Sequence, residues 1–134
     1  MSYVVAYVAT ALGFLVLDII WLGFVAKNLY QREIGHLLLE DFNMVAAFAF
    51  YLMFIAGVVI FAVAPALQAG SWKTALLLGA LFGFFTYATY DLTNLATLKG
   101  WSTTMTVVDI AWGAVLTSVS AVIGYIATRS LIGG

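Results

Sequence analysis

A chain of 134 residues in which 65% are hydrophobic and 8% charged cannot present a surface that water would hold in solution. A net charge of −1 offers nothing to nucleic acid, and the absence of cysteine excludes disulfides, iron–sulfur clusters and thiol nucleophiles. His36 is the single histidine, so haem held by two histidines of one chain is excluded as well and no cofactor is expected.

Crossing a hydrocarbon core takes about 20 apolar residues. Four such runs follow one another, Tyr3 to Ala26, Phe42 to Ala64, Trp72 to Thr97 and Ser102 to Thr128. The first lacks a positively charged start and is too long for the core of a signal peptide, so it reads as a retained span. The breaks between runs are short, which makes neighbouring helices antiparallel hairpins. The expectation is an all-α membrane protein, a single four-helix transmembrane domain over residues 1–134 with both termini on one side.

The first break, "KNLYQREIGHLLLED", is the longest and the most charged. Its apolar residues Leu29, Ile34, Leu37 and Leu38 predict a short helix lying on the membrane. The second, "APALQAGSW", reads as a turn at the membrane surface, with Pro65 lacking a donor, Gly70 freeing the backbone and Trp72 at the interface. The third, "LKGW", turns in fewer residues on Gly100 and Trp101. Lys27, Arg32 and Lys99 outnumber Lys73 and Arg129 by too little to orient the chain strongly. The lean is toward a cytoplasmic side for the first and third breaks.

Of the charged residues, eight fall in breaks or at helix ends, and the other three are Asp18, Asp91 and Asp109. At about 1.5 Å rise per residue they lie roughly 10 to 12 Å from the first or third break, both on the same side. Three carboxyls are thus predicted at one depth. Each costs about 2.5 to 3.5 kcal/mol near a helix centre, so facing lipid they would be a pure loss. They should point inward, toward Tyr51, Tyr87 and Tyr90 and the indoles of Trp21 and Trp112, with Asn43 and Asn94 nearer the mouth.

Helical spacing supports this arrangement. The third run carries the i, i+4 row Ala75, Gly79, Gly83, Tyr87, Asp91, and the fourth carries Asp109, Gly113, Thr117, Ala121, Tyr125. Run antiparallel, the rows set small residues against each other toward the second break and acids against each other toward the third. A tight hairpin opening into a polar pocket is expected. "LDIIWLG" and "VDIAWG" share Asp-x-x-Trp in opposite membrane directions, but composition this biased makes such matches by chance, so no repeat is inferred.

Carboxyls able to gain and lose a proton are the usual working parts of coupled transporters. The leading expectation is therefore binding or proton-coupled transport of a cation or small polar solute, with Asp91 and Asp109 titrating, Asp18 completing the site and Tyr51, Tyr87 and Asn94 orienting it. A homodimer is the expected functional unit, because one copy is small for alternating access. Two other readings stay open: an enzyme using the carboxyls as general acid and base on a lipid or isoprenoid, and an accessory subunit whose acids are hydrogen-bonded glue. A dedicated metal site is not expected; oxygen donors suit hard cations, and zinc, copper and haem lack their ligands. Thr103, Thr104, Thr106, Thr117, Ser118 and Ser120 bond local backbone more often than they act as nucleophiles.

Taken together, "DIIWLG", "NLYQREIG", "FNMVAAFAFY", "YATYDLTNLATLKGW" and "VDIAWG" resemble an uncharacterised bacterial family of small four-span predicted membrane proteins, a domain of unknown function. The likeness covers nearly the whole chain and is most specific at Tyr90-Asp91-x-Thr93-Asn94-x-Ala96-Thr97. It implies a bacterial inner-membrane location. It also implies that Asp18, Trp21, Gly23, Asp91, Thr93, Asn94, Asp109 and Trp112 belong to a family pattern, without supplying an activity.

Overall fold

The computed structural model describes residues 1–39 and 41–132, so Glu40 of the first break lies outside the described residues. Four helices are long and apolar enough to cross a membrane: α1 (Ser2–Val25), α3 (Met44–Ala69), α4 (Trp72–Thr97) and α5 (Thr103–Ile132). A fifth, short helix, α2 (Lys27–Ile34), occupies the first break and continues as a 3₁₀ turn over Gly35–Leu37. Among the described residues there is no strand, and the protein is an all-α membrane bundle.

Helix α5 is the hub. It buries Met105, Asp109, Gly113, Thr117, Ala121 and Tyr125 along with residues on its other faces, because α4 packs on one side and α1 on another. The buried residues of α4 are Ala75, Gly79, Gly83 and Asp91, the row that the i, i+4 spacing picks out. A Cβ built at Gly79 would stand 2.9 Å from the Thr117 carbonyl oxygen, and one at Gly83 would collide with the Gly113 carbonyl. Glycine there lets two backbones approach directly. Helix α1 uses a comparable row, burying Ala6, Thr10, Phe14 and Asp18, and it meets α5 where Thr10 fills the space over Gly124.

Two helices contain a π turn, Trp21–Val25 at the end of α1 and Val59–Val63 within α3. The second adjoins a departure from the sequence reading. Pro65 does not sit in the turn; it occupies the first turn of the helical segment Ala64–Ala69 directly after the π turn, a position where its missing N–H is tolerated. The helix runs on to Gly70, whose φ of 66° makes the left-handed stop.

Helices α3 and α4 touch from Gly57 toward the second break, where a Cβ at Gly57 would meet the Phe82 ring at 2.8 Å and the Val59–Val63 turn packs on α4. Toward the first and third breaks they diverge. There aromatic rings bridge the gap, Phe54 with Phe82 at 5.4 Å and Phe54 with Tyr87 at 6.1 Å.

Helix α2 docks over the turn between α4 and α5. Ser102 donates to Glu33 Oε1 at 2.6 Å and accepts from the Met105 amide at 3.0 Å, capping α5. His36 packs against Gly100, whose φ is 77°. The Ser102 hydroxyl, and after it the neighbouring Arg32, holds the Glu33 carboxyl below the usual carboxylate range. A folded-state value below the unfolded one contributes stability above the ordinary carboxylate pKa, and that contribution is lost as pH falls through the lowered value. Amides of residues 29–34 should therefore exchange faster, after correction for intrinsic rates, below about pH 4 than at pH 6. Glu33→Gln should flatten that dependence, and equal protection at both pH values would show that this contact does not anchor α2.

Candidate functional site: an acidic cavity within the bundle

Asp18 from α1, Asp91 from α4 and Asp109 from α5 line one cavity of about 180 Å³. Their side chains are 8%, 0% and 7% exposed, so three charges that lipid would reject are turned into the bundle. Tyr51, Tyr87, Tyr90 and Trp112 line the same space.

Two of the acids have donors. Tyr51 donates to Asp18 Oδ2 at 2.7 Å, while the buried indole N–H of Trp112 has no hydrogen-bond partner among the described residues. Tyr30 donates to Asp109 Oδ1 at 2.9 Å and accepts from the Trp21 indole at 3.1 Å, a chain of three side chains from three helices. Burial first, then the charge of Asp109, pushes the Tyr30 phenol above its ordinary range. It stays a donor at any physiological pH.

Asp91 has no such partner. Neither of its oxygens accepts a hydrogen bond from a described residue, although both are buried, and the carboxyl of Asp109 is a neighbour in the same cavity. Two carboxylates are acceptors only and can bond each other only with a proton between them. An unpaired buried charge is costly, so this arrangement calls for a proton or a cation.

Three of the residues expected in or near the pocket do not line the cavity. Asn43 is exposed and caps α3, accepting from the Ala46 amide at 3.1 Å, which satisfies a donor that every helix start leaves free. Asn94 is one turn nearer the third break than Asp91 and does not line the cavity. Trp21 stands behind the wall, stacked on Trp112 with ring centroids 4.4 Å apart and planes 8° from parallel. The two Asp-x-x-Trp segments thus meet because α1 and α5 run antiparallel. Tyr30 and Trp101 line the cavity and were not among the residues expected there. Tyr30 shares a helix face with Ile34, which is 5% exposed and also lines the cavity.

Four hydroxyls along α5 bond backbone, while the buried Thr117 Oγ1, expected to do so, has no partner among the described residues. Thr106 donates to Ser102, Ser120 to Leu116 and Thr128 to Gly124, while Ser118 crosses to the Leu76 carbonyl of α4 at 3.0 Å. Among the described residues no three His, Cys, Asp or Glu side chains converge closely enough to hold a metal ion.

Fold and cavity together define a multi-pass helical membrane protein with charged groups enclosed inside its bundle. Residues 3–126 match the family of predicted membrane proteins DUF2177, and the chain belongs to that family. No curated protein and no solved structure matches it.

Proposed function

We propose that the protein binds a cation or small polar solute in the acidic cavity and moves it across the membrane in exchange for a proton carried by Asp91 and Asp109. One observation supports this above the rest: Asp91 is 0% exposed, its two oxygens are unpartnered, and it lies against a second carboxyl. A carboxyl serving as glue would be expected to have a donor, as Asp18 has Tyr51 and Asp109 has Tyr30. A proton between Asp91 and Asp109 can leave when a cation takes its place, and Tyr30 and Tyr51 hold the neighbouring acids in position for either state. The bacterial inner membrane, which the family resemblance implies, maintains the proton gradient that such an exchange would use.

The test is proton movement in proteoliposomes holding a pH-sensitive dye and challenged in turn with gradients of sodium, potassium and tetramethylammonium. At least one cation should move protons through the wild-type protein. Asp91→Asn should abolish the signal while remaining helical and monodisperse. Silence with all three cations, or undiminished movement through Asp91→Asn, would sink the proposal.

A further inference from the structure

The three acids line a common space without reaching the convergence that a bare metal ion needs. What surrounds them is aromatic: Phe50, Tyr51, Tyr87, Tyr90, Trp101 and Trp112 all face the cavity. Ring faces attract cations too large and weakly hydrated to need close oxygen ligands, alkylated ammonium groups above all. No lysine, arginine or histidine lines the space. The charge balance therefore favours a positive ligand.

Toward the first break, Tyr30 and Ile34 of α2 line the cavity, and the Glu33–Ser102 bond and the His36–Gly100 contact hold α2 against the bundle. The side wall differs. Where α3 and α4 diverge, a second cavity of about 300 Å³ is lined by Phe50, Phe54, Thr86, Tyr87 and Tyr90, with Asp109 at its inner end. Phe50 and Tyr90, which belong to both cavities, are 48% and 56% exposed, so the lips of this crevice face lipid. It joins the acyl-chain region of the bilayer to the carboxyls.

We propose, building on the reading of the acidic cavity as a cation site, that its ligand is an amphiphile: an alkylated ammonium head seated between Asp91 and Asp109, with an apolar tail lying in the α3–α4 crevice and reached sideways from the membrane. Binding breaks no bond except the O–H of the carboxyl pair. The head replaces one proton, which leaves to solvent, and the charge of the site is unchanged. Lipid is as apolar as the crevice, so the tail adds little affinity of its own; it delivers the head at the right depth, and the acids supply selectivity.

A dodecyltrimethylammonium carrying a diazirine at mid-chain tests both parts, applied to the full chain in lipid nanodiscs. Photolysis should label α3 between Phe50 and Phe54 and α4 between Thr86 and Tyr90. Excess tetramethylammonium should cut that labelling about tenfold or more, and so should Asp91→Asn, as expected when a paired charge worth over 1.4 kcal/mol is lost. The uncharged dodecanol analogue should label the crevice no better than the variant does. Thr86→Phe, which fills the crevice, should remove crevice labelling yet keep proton release by tetramethylammonium. If tetramethylammonium releases protons through Asp91 but the tailed probe labels only α2 or the outer helix faces, the crevice seat is wrong and the cation site stands. If neither compound releases protons from the wild-type protein, the cation site itself fails.

Discussion

Gly113→Ala, the addition of one methyl group, is expected to lower the melting temperature in detergent by on the order of 10 °C. The added carbon would fall inside the ring of Tyr87, and that ring is held by Phe54 at 6.1 Å, itself 6% exposed. Overpacking of a core costs about 1 to 3 kcal/mol when neighbours can shift, and here the neighbours are an aromatic cluster and the backbone of α4 at Gly83, so the upper end applies. Tyr87→Ala opens its own cavity and is costly alone, about 3 to 5 kcal/mol by the usual large-to-small rule. The double variant should nevertheless be more stable than the sum of the two single losses by 1 kcal/mol or more, because removing the ring removes the clash. Gly23→Ala is the control, since a Cβ there has nothing within 4 Å, and it should change stability by no more than about 0.5 kcal/mol. Additive losses at positions 87 and 113 would mean that α4 and α5 do not meet along this row.

That row was readable because it needs only helical spacing. Glycines at 79 and 83 facing Gly113 and Thr117 require no knowledge of any other helix, and the same antiparallel register carries Asp91 to Asp109. The convergence of the three acids followed from depth alone, as lipid leaves a carboxyl no other direction. Other features depend on partners that spacing does not name. Tyr30 enters the cavity because α2 folds back over the bundle, and a loop's docking is decided by contacts such as Glu33 with Ser102. Pro65 continues α3 directly after a π turn, and no local signal marks that turn. Asn43 carries a second legible signal: an asparagine just before a long apolar run is a capping signature, and its side chain accepts from the Ala46 amide. The crevice lies beyond sequence reading altogether, since it arises from how far two helix axes diverge.

Asp91→Asn is expected to leave the melting temperature at neutral pH unchanged or raise it by a few degrees, while removing cation-linked proton movement. The opposite sign is expected at the neighbouring acid, where Tyr51→Phe removes the donor that Asp18 Oδ2 accepts from at 2.7 Å. Removing one partner from a buried carboxylate leaves a desolvation penalty of about 1 to 3 kcal/mol, more where the charge is retained. Asp91 has no donor on another side chain to lose, for neither oxygen has a described partner, and an asparagine amide of equal size can itself donate toward Asp109 in place of the shared proton while taking an ionisable group out of the bundle. Sites that work are commonly kept at the expense of stability, and neutralising them relaxes the structure. The contrast therefore separates function from adhesion. If the acids are glue, Asp91→Asn should destabilise the bundle at least as much as Tyr51→Phe does, and a clear fall in its melting temperature would favour that reading over transport.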